Sequence, residues 1–188
     1  MSPHRLTSLA LAVACVAAST AGVRFTDREH DMEIIRGRVG QSLHVRGGEV
    51  EVTDVRFGTA LAERGEVTDH TNGMFVVVTF QVSNTSNEDL RLTESKLLSH
   101  DRTYSRFGIS GGPSVAPGFR TSSDVAYEVD PSRINDLTVD LYQPELIGGY
   151  AQHIRVGLGV TAATADRWRA SGQGTVVEIA EDSRRGIE

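Results

Sequence analysis

The residues most able to do chemistry sit in the second half of the chain. Gly108-Ile109-Ser110-Gly111-Gly112 matches the G-x-S-x-G nucleophile elbow, and His153 follows in the order used by α/β-hydrolases. The flanking sequence argues against that use. An elbow needs a parallel-sheet strand before its serine and a helix after it, whereas Pro113 arrives three residues later among β signals. A flexible loop is therefore expected, with no catalytic residue assigned. His30, His44, His70, His100 and His153 form neither H-x-H nor H-E-x-x-H spacing. Asp69-His70 and His100-Asp101 read as loop pairs and His153 as the start of a strand, so surface histidines are expected at each. A metal site built in space from distant residues stays open at this point, and no metal or cofactor is assigned. Asp27, Glu29 and Asp31 alternate like calcium ligands, but the turn glycine and the closing acid are missing. Asn84-Thr85-Ser86 fits the glycosylation sequon, although a turn after a strand explains the asparagine by itself.

Cys15 is the single cysteine of the 188 residues and lies near the N-terminus. The remainder of the chain thus has no disulfide and no thiolate ligand, which excludes zinc-finger and cysteine-nucleophile chemistry there. Leu6 to Val23 is a run of eighteen uncharged residues, preceded by Arg5 and closed by Arg24. Such a run is an export segment rather than part of a fold. Cleavage after Ala18 or Ala21 is expected, leaving a chain that begins near Gly22. Two other fates are open: retention as an anchor, the run being barely long enough to cross a bilayer, and lipidation at Cys15. The last calls for a branched residue or leucine three places earlier, where the chain has Ala12.

Net charge is −6, and removal of residues 1–23, with one arginine and no acid, leaves 18 basic against 25 acidic residues, or −7. That balance weighs against a phosphate-binding surface as the main function and against nucleic acid as a partner. Lys96 is the only lysine among 19 basic residues, a skew that points to a GC-rich genome.

The elements that must position these residues read as strands. Residues 24–40 form a polar stalk. Leu43 and Val45, the Gly47-Gly48 turn and Glu49 to Phe57 make a hairpin, with a change of face that predicts a bulge near Thr53-Asp54. Met74, Val76, Val78, Phe80 and Val82 share one face of the clearest strand by the two-residue period, with Phe75 and Val77 buried on the other. The period returns at Val125, Tyr127 and Val129, at Leu137, Val139 and Leu141, and at Ile154, Val156, Leu158 and Val160. Seven or eight short strands separated by turns predict an all-β, immunoglobulin-like antiparallel sandwich over residues 41–161. Residues 162–188 are expected to add a short helix with Thr164 as cap and Trp168 over the end of the sheets, an edge strand at Val176 to Ile179, and a frayed tail.

Gly73-Met74-Phe75-Val76-Val77-Val78 with Asn84, then Pro117-Gly118 before Asp124-Val125-Ala126-Tyr127-Glu128-Val129, resembles the bacterial domain-of-unknown-function family 4352. The resemblance covers about Val39 to Val160. It implies an immunoglobulin-like sandwich in exported proteins and lipoproteins, chiefly of Gram-positive bacteria, and it brings no catalytic residues.

Two functions follow as expectations. The first is a non-catalytic binding or interaction domain of the cell envelope, secreted or tethered through its N-terminus to the outer face of the cytoplasmic membrane. It would present the loops Thr59 to Gly73 and Gly108 to Gly118 to an envelope protein or ligand. The second is a structural or accessory subunit of an envelope membrane complex. A serine hydrolase built on Ser110 stands well behind both.

Overall fold

The computed structural model describes residues 33–100, 102–108, 112–143 and 152–187. Cys15, Ala18, Ala21, Asp101 and Ser110 lie outside them. Thirteen strands occur among the described residues: β1 (Glu33–Arg38), β2 (Leu43–Val45), β3 (Gly48–Glu63), β4 (Glu66–Asn84), β5 (Leu90–Arg91), β6 (Glu94–Ser99), β7 (Arg102–Ser105), β8 (Ser114–Val115), β9 (Phe119–Val129), β10 (Thr138–Tyr142), β11 (Gln152–Gly157), β12 (Val176–Ile179) and β13 (Ser183–Gly186). Among the described residues one α-helix, α1 (Ala165–Gly172), precedes β12. Apart from β1, the strands beyond the expected number are two to four residues long, too short to show a two-residue period.

The fold is a two-sheet β-sandwich. One sheet runs β1-β11-β10-β6-β7 and the other β12-β3-β4-β9-β13, with β2 beside β3. Val76, Val78, Phe80, Val125 and Tyr127 of the larger sheet pack against Leu97, Val139, Leu141, Ile154 and Val156 of the smaller. The period-two residues of the sequence are therefore the core, as alternation on a half-buried strand requires. Most pairings are antiparallel, but β1–β11 and β12–β3 are parallel. Both parallel pairs join segments far apart in the chain, where no hairpin dictates direction. Residues 33–38, expected within the stalk, are strand β1. Ser183–Gly186, expected in the frayed tail, pairs with Phe119–Ser122.

Two turns account for much of the register. Arg64 (φ 55°) and Gly65 (φ 80°) both hold left-handed backbone, the requirement of a two-residue hairpin turn whose twist matches the strands. Thr59 to Gly73 is thus a strand-turn-strand extension and not the recognition loop the sequence suggested. Ala60, Leu61 and Ala62 are buried in it, against β12 on the neighbouring edge. The predicted bulge is present as a register shift between Val52 and Asp54. Pro117 and Gly118 (φ 77°) form the tight turn that starts β9, closed by the Phe119 amide donating to the Ala116 carbonyl at 3.2 Å.

Phe75 and Val77 lie on the far face of β4, with Leu61, Ala126 and Val177, and Phe107 and Ile179 pack against them. This second cluster explains why β4 is buried on both faces over Met74 to Val78. The helix packs Trp168 on Phe57, with ring centroids 4.8 Å apart. Thr164 stands at its N-terminus but makes no side-chain cap; its hydroxyl instead accepts from the Thr161 amide at 2.9 Å.

Candidate functional site

Residues that alternate with the core on β10 and β11 face away from it, and they assemble a charged and aromatic cluster on the smaller sheet. Register places Asp140 opposite Arg155 on one side and Lys96 on the other, and Tyr142 opposite His153. His153 Nδ1 lies 2.9 Å from Asp140 Oδ1 and 3.1 Å from Oδ2. A carboxylate only accepts, so Nδ1 carries the hydrogen. Arg155 Nε donates to Asp140 Oδ2 at 3.2 Å. The Tyr142 ring stacks on His153 at 4.5 Å with a 20° tilt, and the Lys96 ammonium lies 5.7 Å from the Tyr142 centroid, within cation–π range. Asp140 is buried and the His153 side chain is 12% exposed. The surface histidine expected at 153 is therefore largely enclosed and held by a carboxylate. A shallow hollow of about 310 Å³ adjoins the cluster, lined by Arg36, His100, Asp136, Thr138 and Arg155 among others.

Histidine Nδ1 bonded to a buried carboxylate is the acid-base half of a hydrolytic triad. The nucleophilic half is missing among the described residues: no serine or threonine hydroxyl is bonded to His153 Nε2, and Ser110 lies outside them. Arg155 shares the carboxylate, which neutralises it as a fixed ion pair. The geometry suits a rigid polar platform better than proton transfer.

His30 lies outside the described residues, and the other expected histidines are dispersed. His70 lies within β4 and not in a loop. His100 has a left-handed backbone (φ 44°) and its Nε2 lies 3.6 Å from Asp136 Oδ2. His44 Nδ1 lies 3.1 Å from Glu49 Oε1. Among the described residues no three His, Cys, Asp or Glu side chains gather so as to hold a metal ion. Asn84 is fully buried, its amide donating to the Glu88 and Val115 carbonyls and its oxygen accepting from the Ser86 amide and hydroxyl. Its place in the sequon is thus that of a turn anchor, with no amide hydrogen facing solvent.

The sequence reading missed Lys96, Asp140, Tyr142 and Arg155. The available signal was the alternate set itself: Thr138, Asp140 and Tyr142 between core residues, facing His153 and Arg155 on the neighbouring strand.

No family model matches the chain, and no curated protein does. Solved structures give distant likenesses. An uncharacterized β-sandwich protein from Clostridium difficile 630 is 10% identical, with a TM-score of 0.44 over 66% of this chain and 95% of that one. A conserved hypothetical protein from Bacillus anthracis is 14% identical, with a TM-score of 0.44 over 56% of this chain and 87% of that one. No helix among the described residues is long and apolar enough to cross a membrane.

Proposed function

We propose that this chain is a non-catalytic binding or interaction domain of the bacterial cell envelope, working outside the cytoplasm. The observation that carries the reading is the cluster on the outward face of the smaller sheet. Aromatic and arginine side chains dominate recognition surfaces. Here Asp140 pre-orders His153 and Arg155, and Tyr142 is braced by its stack on His153, so little side-chain entropy is left to lose on binding. The site lies on strands rather than loops, which favours geometric precision. Export through residues 1–23 and membership of the domain-of-unknown-function family 4352 belong to the same proposal; they rest on the sequence features described above.

The test is site-specific photo-crosslinking in intact cells. A photoreactive phenylalanine analogue at position 142 is expected to give a discrete adduct, whereas the same analogue at Thr53, exposed on the larger sheet, gives none. Equal patterns from the two positions would overturn the platform as the binding site. A stoichiometric membrane-protein adduct would make the domain an accessory subunit. An esterase activity of the purified protein that is lost in Ser110→Ala would replace the binding reading with a catalytic one.

A further inference from the structure

The larger sheet carries a second, separate feature. Over the face of β4, β9 and the strand β13 lies a hollow of about 590 Å³, lined by Gln81, Arg120, Ser122, Ser183, Arg185 and Ile187, with Gly186. Antiparallel register sets Arg185 directly opposite Arg120 and Ser183 directly opposite Ser122. Directly opposed like charges destabilise a strand pair, and no acid among the described residues lines the groove to offset them. Arg120 is partly fixed, its Nε donating to Ser83 Oγ at 2.8 Å. The terminal nitrogens of Arg120, the Arg185 guanidinium, and the Ser122 and Ser183 hydroxyls take no side-chain partner among the described residues. Most other arginines near carboxylates are ion-paired, as Arg56, Arg64, Arg91 and Arg155 are. In a chain of net charge −6, two guanidiniums set opposite each other with no carboxylate partner among the described residues are a local reversal of sign.

We propose that this groove binds a phosphate group of a small, envelope-located ligand. A phosphate between the two guanidiniums would turn their repulsion into paired charge-assisted hydrogen bonds, the geometry for which arginine is suited. The serine hydroxyls and the Gln81 amide supply further donors on the same side. The hollow exceeds a bare phosphate in size and falls within the range of small-molecule sites, so it leaves room for the remainder of a phosphomonoester or phosphodiester. The site is independent of the His153 cluster, which lies on the other sheet.

The experiment uses the full chain, with inorganic phosphate and glycerol 3-phosphate as probes and chloride at matched ionic strength as control. Thermal unfolding and titration calorimetry are read for the wild type, Arg120→Gln, Arg185→Gln and the double variant. Phosphate is expected to raise the wild-type midpoint beyond chloride, and each single change to weaken binding about tenfold. The double variant is expected to lose the effect while being at least as stable as wild type without phosphate, since the opposed charges are gone. Tighter binding of glycerol 3-phosphate than of inorganic phosphate assigns the rest of the groove to an organic phosphate; equal binding assigns the site to the free ion. A phosphate effect no larger than that of chloride, or an equal effect in the folded double variant, would overturn the site.

Discussion

Asp124 Oδ2 accepts from Arg56 Nη2 at 2.6 Å and from the Ala180 amide at 2.8 Å, so one buried carboxylate holds both a neighbouring strand and the C-terminal segment. Its other oxygen accepts from the Thr79 hydroxyl at 2.6 Å. Arg56 completes the junction by donating through Nη1 to the Glu178 carbonyl at 2.6 Å. The segment that follows β12 is thus tied to the sheet by charge as well as by strand pairing, which is why residues 176–187 belong to the domain.

Asp124→Ala removes the acceptor from three donors and leaves Arg56 without its closest counter-charge. Breaking a buried ion pair on one side costs about 3–5 kcal/mol. The Arg56 side chain is 30% exposed, so water recovers part of this and a loss of about 2–3 kcal/mol is expected. Urea unfolding measures it, and hydrogen exchange at the Ala180 amide should quicken in the variant. A variant within about 0.5 kcal/mol of wild type, with that amide still protected, would show that strand pairing alone holds the segment.

Tyr127 is fully buried, and neither its hydroxyl nor that of Ser95 has a hydrogen-bond partner among the described residues. Burial pushes the phenol well above its ordinary value of 10, and the nearby Arg106 charge offsets this only in part. The folded state therefore keeps a proton that the unfolded chain releases above pH 10, and stability from this group is full below that pH and falls as pH rises beyond it. Tyr127→Phe removes both the titration and a buried unpartnered hydroxyl. It is expected to be neutral or about 1 kcal/mol stabilising near neutrality, and less sensitive to alkali than wild type. Near-ultraviolet titration should show one of the four tyrosines resisting ionisation until the protein unfolds. Four tyrosines ionising together in the folded protein would contradict the burial argument.

The core was legible because burial on one face of a strand imposes a period of two, and Met74 to Val82 states it without interruption. The Pro117-Gly118 turn and the Val52 bulge were legible for similar local reasons. The Thr59 to Gly73 hairpin was not. Val67, Asp69 and Thr71 mix exposed and polar side chains, because this part of β4 extends beyond the sandwich core, and only the two left-handed turn residues mark it. Strand β1 was hidden in a polar stretch since its residues 33–38 are at most half buried at a sheet edge. The cluster around His153 was hidden for another reason: a single sequence shows that Asp140 and Arg155 face outward, but only the register between β10 and β11 makes them neighbours. The opposition of Arg120 and Arg185 has the same origin, through β9 and β13.

Two glycines separate the two reasons a chain needs this residue. A Cβ on Gly48 would stand 1.8 Å from the Ser83 carbonyl oxygen, which is backbone of the paired strand β4 and cannot move aside without breaking the β3–β4 register. At Gly40 the backbone is left-handed (φ 77°), yet an added Cβ meets nothing within 4 Å. Gly48→Ala is therefore a packing failure, expected to cost about 3 kcal/mol, whereas Gly40→Ala carries only conformational strain of about 1 kcal/mol. Urea midpoints of the two variants decide the matter. Equal losses would mean that the β3–β4 ladder can open locally at Gly48 at no cost beyond strain, and the close approach would then not be what fixes the hairpin to the sheet.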